Sequence, residues 1–368
     1  MRRALEELGA NPSSLHREGQ RARAAIEQAR EQVAALVGAG PENIVFVSGG
    51  TEGDHLAVVG AAWASRARGA RIAISAVEHH AVHGAADLLH EQGFAIEHLP
   101  VDGQGLVDPA ALDRLPADTT VLSIMLANNE TGVLEPVEEL ARRARARGLF
   151  VHCDAVQAAG KVPIDFAGLG VDYLVVSGHK FGGPKGAGAF VRRKGAPLSP
   201  LFRGSGHERG QRGGTENVPG IVGLGEAAAC ASRDLATESP RLLALRERFE
   251  NGLRALASDV VIHGAGAARL PNTTNASFPG ARSDHLLMAL DARGVEVSAG
   301  AACASGAVEP SPVLTAMGVP RDLAICAARF SMGRTTTAAD VDAVLAALGD
   351  SLKAARAASA PVGVGGGA

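Results

Sequence analysis

The sequence predicts an α/β fold, with a mostly parallel β-sheet covered by helices on both faces, and a smaller α+β domain at its carboxyl-terminal end. Two observations support this prediction. Short apolar runs typical of buried strands alternate with helical patterns up to about residue 190, and such alternation is typical of a parallel sheet. A charged helical segment then leads into a region with fewer strands, and a chain of 368 residues is long enough for two domains.

The elements of the first region follow a regular order. Residues 14–37 read as an amphipathic helix, because apolar residues recur at helical spacing with charged residues between them. The strand candidates are 43–47, 71–75, 95–99, 120–125, 149–153, 173–176 and 187–191. The helix candidates between them are 51–68, 80–92 and 137–147. We therefore expect a seven-stranded, mostly parallel sheet.

The second region begins near residues 234–240. Its candidates are a charged helix at 241–256 and strands at 275–278, 295–298 and 327–330. We predict a large domain over residues 11–233, and a small domain over 234–360 that also includes residues 1–10. Residues 361–368 have too little apolar side chain to offset the entropy of ordering them, so a flexible tail is expected.

Composition and charge argue against several classes of partner. The net charge of −3, the pI near 6.5 and the aromatic content of 3% provide neither a basic surface nor a stacking platform for nucleic acid. No uninterrupted apolar run approaches the roughly 20 residues that span a bilayer, and the first residues carry acids where a signal peptide would be apolar. We expect a cytoplasmic protein that binds neither nucleic acid nor a membrane directly.

The cysteines and histidines do not predict a metal site. Four cysteines are dispersed without a Cys-x-x-Cys pair, which argues against structural zinc and against a secreted disulfide framework. His79 and His83 lie one helical turn apart, with His80 between them, but no suitable acid or cysteine accompanies them. We expect no bound metal.

Two polar segments place an acid and an amine at one edge of the expected sheet. Asp154 follows the strand candidate at 149–153, and Lys180 follows the one at 173–176. The carboxyl ends of parallel strands are where α/β proteins build ligand sites. Pyridoxal phosphate needs a lysine amine for its Schiff base and a carboxylate that keeps its pyridine nitrogen protonated. Alone, Asp154 could be a helix cap and Lys180 a solvated amine, but the combination favours this cofactor.

A phosphate site is indicated by the Ser-Gly-Gly-Thr segment at 48–51, which follows the first strand candidate and opens a helix. Backbone N–H groups at a helix start favour an anion, and glycines let a phosphate approach closely. The Gly-Lys-Ser/Thr of a Walker loop is absent, which disfavours a nucleoside triphosphate. A tight turn capped by Thr51 is the alternative. Ser177 and His179 beside Lys180 add donors that favour the phosphate.

Several short motifs occur along the chain in a fixed order. They lie at residues 48–52, 78–79, 128–132, 152–157, 177–180, 212–215, 302–305 and 329–331. In this order they resemble the motifs of pyridoxal-phosphate-dependent cysteine desulfurases, which belong to the class V aminotransferase group and have fold type I. The resemblance extends over nearly the whole chain, from about residue 11 to about residue 347.

The resemblance implies a role around the cofactor for each matching residue. Lys180 would hold the cofactor, Asp154 would pair with the pyridinium nitrogen and Gln157 would hydrogen-bond the ring hydroxyl. His79 would stack on the ring and exchange protons with the substrate. The residues that would bind the phosphate are Gly50, Thr51, Ser177, His179 and, from the other subunit of a homodimer, Thr215.

Substrate binding and sulfur chemistry are implied at two further places. Asn129, beside the cofactor, and Arg329 would hold the amino-acid carboxylate, which matches the planar fork of arginine. A surface ion pair is the alternative for Arg329, but its apolar neighbour Phe330 disfavours it. Cys303 lies in a stretch of small residues at 298–306 that resembles the long, mobile cysteine loop of one branch of the family. The other cysteines, Cys153, Cys230 and Cys326, read as buried apolar residues.

The implied activity is that of a cysteine desulfurase. L-Cysteine would become L-alanine, and Cys303 would take the sulfur as a persulfide and pass it to an acceptor protein, for iron–sulfur cluster assembly, tRNA thiolation or another sulfur modification. An aminotransferase or a selenocysteine lyase of the same fold is an alternative, although transamination gives Cys303 no task.

A catalytically impaired scaffold protein is a third reading. The family normally has a further strand and a turn at the substrate mouth ahead of the position of Met1, so we expect slow turnover or a start codon placed too late. Gly53 and His55 also depart from the Ser or Ala and the Asn that are usual in the family. These two positions are expected to alter packing rather than chemistry.

Overall fold

The structure is a computed structural model that describes residues 1–299 and 309–359. Its contacts divide the chain into two compact units. The first comprises Met1–Val101, Leu106–Asn129 and Leu134–Thr237, and the second comprises Asp102–Gly105, Glu130–Val133 and Glu238–Ala368. Cys303 and the expected flexible tail at 361–368 lie outside the described residues.

The first unit alternates helices with strands. Its strands are β1 (Ile44–Val47), β2 (Arg71–Ser75), β3 (Ala95–Leu99), β4 (Thr119–Ser123), β5 (Phe150–Asp154), β6 (Tyr173–Ser177) and β7 (Gly188–Arg192). Its helices are α1 (Arg2–Glu7), α2 (Arg17–Val37), α3 (Gly50–Ser65), α4 (His80–Glu91), α5 (Val137–Ala146), α6 (Phe166–Leu169) and the first part of α7 (Val218–Leu256). Each strand lies within one or two residues of its candidate in the sequence.

These strands form one sheet with the order β1-β7-β6-β5-β4-β2-β3. The neighbours from β6 through β5, β4 and β2 to β3 are parallel, whereas β7 runs antiparallel to both β6 and β1. The predicted α/β fold with a mainly parallel sheet flanked by helices is therefore confirmed. The central strand β6 is buried along its whole length, as its run of apolar residues predicts.

The second unit contains a smaller antiparallel sheet with the order β10-β11-β9-β8. Its strands are β8 (Val261–Ile262), β9 (Thr273–Ser277), β10 (Ser298–Ala299) and β11 (Ala327–Ser331). Its helices are the end of α7, α8 (Ser283–Asp291), α9 (Pro312–Ala316), α10 (Arg321–Ala324) and α11 (Ala338–Ser359). The core is aromatic: the ring of Phe330 lies 4.8 Å from that of Phe249 and 6.4 Å from that of Phe278, between centroids.

Helix α7 begins much earlier than the sequence suggests. The helix candidate starts at residue 241, but α7 starts at Val218 and continues through the boundary between the units. The first half of α7 contains glycines and a proline, Pro219, which weaken the helical pattern in the sequence. Gly225 is needed for packing, since a Cβ atom there would lie 2.6 Å from Cα of Ala29 in α2.

Residues 1–10, which the sequence assigns to the smaller domain, lie in the first unit. Helix α1 packs there through Ala4, which is 3% exposed, and Arg21 of α2 lies 3.8 Å from Glu7. None of the helices within residues 1–299 and 309–359 is long and apolar enough to cross a membrane.

Candidate cofactor and substrate site

The carboxyl ends of β5 and β6 carry the acid and the amine that the sequence singled out. Asp154 is the last residue of β5 and is buried, with Oδ1 accepting the N–H of Val156 at 2.8 Å. Burial, followed by the nearby charge of Asp54, raises the pKa of Asp154 to about 7. A buried carboxyl of this kind gains most from a cation placed beside it, as a pyridinium nitrogen would be.

The start of helix α3 lies beside Ser177. A Cβ atom on Gly49 would lie 3.6 Å from Oγ of Ser177, and one on Gly50 would lie 3.9 Å from its Cβ. Ser177 Oγ in turn lies 3.0 Å from Nδ1 of His179. Two bare glycines, a helix start, a hydroxyl and an imidazole thus share one small region, which suits a phosphate group.

The residue that caps α3 is Gly49, so Thr51 does not serve as the ordinary cap that was its alternative role. Thr51 lies one residue into the helix with an exposed side chain. Behind it, the carboxylate of Glu52 accepts the N–H of Ser48 at 2.8 Å and the Nε–H of Arg212 at 2.8 Å. These contacts hold the helix start in place and leave Thr51 available to a ligand.

The departure at Gly53 has a packing explanation. A Cβ atom at this position would lie 2.6 Å from Cγ1 of Val175 in β6, which is closer than real Cβ contacts allow. Gly53 therefore lets α3 approach the sheet next to Val175. His55, the other departure, places Nδ1 at 2.9 Å from the carbonyl oxygen of Thr51 and stays within the helix.

Lys180 lies in a 3₁₀ turn, Gly178–Lys180, directly after β6, and its side chain is exposed. Its charge acts on two other candidates, lowering the pKa of Asp154 and that of His79. For His79, burial is the larger cause and the neighbouring cations follow. The charge of Lys180 therefore reaches both Asp154 and His79.

His79 is oriented by the helix that it precedes. It caps α4, and its Nδ1 accepts the N–H of Ala81 at 3.1 Å. Because the lowered pKa of His79 keeps the ring neutral near pH 7, the single ring proton resides on Nε2. Nε2–H, on the other side of the His79 ring, can then donate a hydrogen bond to a ligand. The backbone N–H of Ala81 fixes this tautomer.

A lysine that the sequence reasoning missed supports Gln157. Lys161 Nζ donates to the carbonyl oxygen of Gln157 at 2.7 Å and to its side-chain Oε1 at 3.2 Å. With Oε1 engaged, the amide NH₂ of Gln157 is the end that can donate to a ligand. The spacing of four residues was the only signal in the sequence, and a Gln–Lys pair at that spacing is common on surfaces.

A buried polar network beneath Asp154 was also missed. His152, two residues earlier on the same face of β5, places Nδ1 at 2.9 Å from Oγ of Ser123, and its Nε2 lies 3.3 Å from Oδ1 of Asp54. Burial lowers the pKa of His152 to about 4 and raises that of Asp54 well above its usual value. Ser, His and Asp side chains in this order resemble a hydrolytic triad, but all three are buried, so no substrate can reach Ser123.

Glu78, the residue before His79, is a further buried acid. Its Oε1 accepts the hydroxyl of Ser75 at 2.8 Å and the N–H of Met125 at 2.7 Å. Burial, followed by the charge of Asp154, raises the pKa of Glu78 well above its usual value. Glu78 thus ties the loops after β2 and β4 together and fixes the backbone that carries His79.

Arg329 lies in the second unit, in the middle of β11, with Asn275 of β9 and Ser298 of β10 directly opposite it. Its side chain is partly buried. Burial lowers the pKa of Arg329, and the charge of Glu130 opposes that shift. The second unit thus offers a guanidinium with a nearby acid, on a strand paired on both sides.

The remaining candidates differ in their surroundings. Asn129 ends a segment of the first unit and is partly buried, and Thr215 is exposed on the segment that follows Arg212. Cys153 and Cys326 are buried as expected, but Cys230 is only partly buried. Within the described parts of the chain, no group of three or more His, Cys, Asp or Glu side chains could hold a metal ion.

The residues of the first unit fit pyridoxal phosphate. Asp154 is a buried carboxyl that favours a nearby cation, and the charge of the exposed Lys180 amine lowers its pKa. The helix start at Gly49 and Gly50 lies beside the hydroxyl of Ser177. Asp154, Lys180 and Ser177 each come from the end of a central strand or the turn after it. Parallel strands bring these ends together, so the sheet itself assembles the site.

Comparison with known proteins gives a consistent result. The aminotransferase class-V family model matches residues 1–344. A cysteine desulfurase IscS from Dictyoglomus turgidum is 45% identical over 346 residues, which are 94% of this chain and 88% of the relative. A cysteine desulfurase IscS from Anaeromyxobacter sp. (strain Fw109-5) is 48% identical over 343 residues, or 92% of this chain and 84% of the relative.

Solved structures are similar to this chain over most of their length. A NifS-like protein superposes with a TM-score of 0.89 at 37% sequence identity, covering 95% of this chain and 93% of that one. SspA in complex with cysteine superposes with a TM-score of 0.79 at 32% identity, covering 90% of this chain and 92% of that one.

Proposed function

The chain belongs to the aminotransferase class-V family and, within it, to the pyridoxal-phosphate-dependent cysteine desulfurases, and from this premise we propose how its own residues perform the reaction. L-Cysteine is converted into L-alanine, and the sulfur is retained as a persulfide on Cys303. The observation that carries this proposal is the buried Asp154 carboxyl at the end of β5, in the same electrostatic field as Lys180 and His79.

Each residue of the first unit has a binding or proton-transfer task in this proposal. Bound pyridoxal phosphate supplies the electron withdrawal that makes the substrate Cα acidic. Asp154 holds the ring nitrogen in its protonated form, and Gln157 donates to the ring hydroxyl. Lys180 holds the cofactor and then accepts the Cα proton as a general base. His79, with its proton on Nε2, exchanges a proton with the substrate.

The phosphate is bound at the start of α3. Backbone N–H groups at Gly50 and Thr51, the hydroxyl of Ser177 and the ring of His179 are the groups that contact it. The amino-acid carboxylate is held by Asn129 and by the guanidinium of Arg329.

Sulfur transfer follows from thiolate chemistry. The thiolate of Cys303 attacks the substrate sulfur, so that a new S–S bond forms as the Cβ–S bond breaks. The electron pair of the broken bond stays with the substrate carbon, which takes up a proton and leaves as alanine. Buried Cys153 and Cys326 support this choice of nucleophile, because neither can reach a substrate without local unfolding.

The persulfide is then passed to an acceptor protein. The long type of cysteine loop that the sequence resembles favours iron–sulfur cluster assembly or tRNA thiolation as the destination. We place the enzyme in the cytoplasm as a homodimer, in which Thr215 of each subunit contacts the phosphate in the other.

The test is product formation from L-cysteine by the purified, cofactor-loaded protein. With dithiothreitol as the sulfur acceptor, alanine and sulfide are expected in equal amounts. A selenocysteine lyase would instead release selenide from selenocysteine and leave cysteine unchanged. An aminotransferase would form a keto acid without sulfide, and a scaffold protein would bind the cofactor and release no product. Any of these three results would overturn the proposal.

A further inference from the structure

Glu130 is a buried acid that the proposed reaction leaves without a task. It lies in the short segment Glu130–Val133 of the second unit and is 5% exposed. Burial raises the pKa of Glu130 to about 7, and the hydroxyl of Ser311 and the charge of Arg329 oppose that rise. A buried carboxylate needs a nearby cation or hydrogen-bond donors to compensate for lost hydration, and the second unit provides both.

The carboxylate of Glu130 is held from one side by Ser311. The Ser311 hydroxyl donates to Oε2 of Glu130 at 2.5 Å and accepts the N–H of Leu314 at 3.1 Å. Ser311 also caps α9 and is fully buried. The acid is thereby fixed to the start of a helix and has little rotational freedom.

The backbone of Glu130 is fixed to the strand that neighbours Arg329. The carbonyl oxygen of Glu130 accepts a hydrogen bond from Nδ2 of Asn275 at 3.4 Å. Asn275 lies on β9, directly opposite Arg329 on the paired strand β11. Two residues further on, the carbonyl oxygen of Gly132 accepts the N–H of Leu270 at 2.7 Å. The backbones of Glu130 and Arg329 are therefore connected through Asn275 within the second unit.

We propose that Glu130 is a positioning residue for Arg329. Its carboxylate supplies the countercharge of the partly buried guanidinium and holds it in the orientation that binds the substrate α-carboxylate. This inference rests on the proposed function, in which Arg329 binds that carboxylate. The guanidinium of arginine is planar and carries several N–H donors in fixed directions. A fixed acid beside some of these donors therefore leaves the others oriented for the substrate carboxylate.

The test compares Glu130→Gln with the wild-type holoenzyme. Glutamine keeps the shape and can still accept the Ser311 hydroxyl, but it removes the charge. We expect KM for L-cysteine to rise about tenfold while kcat changes less than about twofold, since a charge-assisted contact is lost and the reacting atoms are untouched. Spectroscopic titration with cysteamine, which has the thiol and amine but no carboxylate, should give the same affinity for both proteins.

Two further variants complete the design. Glu130→Asp keeps the charge and should restore part of the affinity, and it serves as the main variant if Glu130→Gln does not fold. Glu309→Gln is the matched control: this acid lies near Ser311 but is exposed, in an ion pair with Arg321 at 3.3 Å. Its removal should leave KM unchanged.

The outcomes separate this inference from the proposed function. If Arg329→Ala weakens cysteine binding but Glu130→Gln does not, or if Glu130→Gln weakens cysteine and cysteamine equally, the positioning role is overturned. If Arg329→Ala leaves cysteine binding unchanged, the assignment of Arg329 fails, and the role of Glu130 fails with it.

Discussion

Oδ1 of Asp54 lies 3.3 Å from Nε2 of His152, and both side chains are buried, with His152 two residues before Asp154 on β5. The two groups come from different elements, α3 and β5. Asp54 acts on the site through charge, because after burial it is the largest cause of the raised pKa of Asp154. Burial is the first cause that raises the pKa of both Asp54 and Asp154, so the fold favours the protonated form of each acid.

Asp154 should make the stability of the cofactor-free protein depend on pH. The folded pKa of Asp154, about 7, lies above its value of about 4 in the unfolded chain, so its contribution to folding is fully present below about pH 4 and is lost as pH rises through about 7. Asp154→Asn removes this loss. Between pH 5 and pH 8, the variant should gain about 2.6 kcal/mol in unfolding free energy relative to wild type.

Urea unfolding of the two apoproteins across this pH range measures the difference. His152, whose pKa is lowered to about 4, has the opposite dependence between that value and its ordinary value of about 6.5, but it is common to both proteins. Parallel curves for the two proteins would show that the pKa of Asp154 is not raised. With cofactor bound, the order should reverse, since the amide of the Asp154→Asn variant carries no charge for the ring nitrogen.

Asp54 should set the pH at which Asp154 ionises. Asp54→Asn removes the neighbouring acid while keeping its shape, so the pKa of Asp154 should fall toward its usual range. The measurement is the unfolding free energy of Asp54→Asn minus that of Asp54→Asn/Asp154→Asn, followed against pH. The pH dependence of this difference should move to lower pH than in the wild-type background, and an unchanged midpoint would rule out coupling between the two acids.

Lys180 should be the lysine that binds the cofactor covalently. Borohydride reduction of the loaded enzyme should label a peptide containing Lys180, and Lys180→Ala should abolish the label. Lys161→Ala is the matched control, because Lys161 donates to Oε1 of Gln157 and has a supporting role. It should keep the label with cofactor affinity reduced by less than about tenfold. A labelled peptide in Lys180→Ala would assign the Schiff base to another lysine.

Cys303→Ala should keep the cofactor and still respond spectrally to L-cysteine, but it should form no persulfide and release almost no alanine. Substrate binding precedes attack on sulfur, so only the later step is lost. Cys326→Ala is the control, since Cys326 is buried and its thiol donates to the carbonyl oxygen of Asp322 at 3.2 Å. Mass spectrometry of the intact protein detects the persulfide, and alanine release at the wild-type rate from Cys303→Ala would assign the nucleophile elsewhere.

Subunit mixing tests whether Thr215 serves the partner's site. Lys180→Ala and Thr215→Ala homodimers should both bind cofactor poorly. In a mixed dimer, the subunit that keeps Lys180 receives an intact Thr215 from its partner, so half of the sites should regain normal cofactor retention. If Thr215 contacts the phosphate of its own subunit, mixing restores nothing. Different affinity tags on the two variants allow the mixed dimer to be isolated by sequential purification on both tags.

Local patterns were enough to predict most of the fold. The strands around Val175 and Ile74 are short apolar runs, and a buried parallel strand needs little else. The prediction was incomplete where packing overrides local preference. The first half of α7 contains glycines that weaken a helix in isolation, and only the close contact of Gly225 with Ala29 shows why they are there.

The sequence by itself predicted where the cofactor site should lie, because the ends of parallel strands meet wherever the strands do. Asp154 and Ser177 end two of those strands, and Lys180 lies in the turn after the second. Only the tertiary structure decided which groups surround the predicted residues within each unit. Asp54 meets His152, and Glu130 meets Ser311, across 98 and 181 positions of chain, respectively. Such contacts leave no local periodicity, and the pKa of each acid depends on burial that arises only when the elements pack.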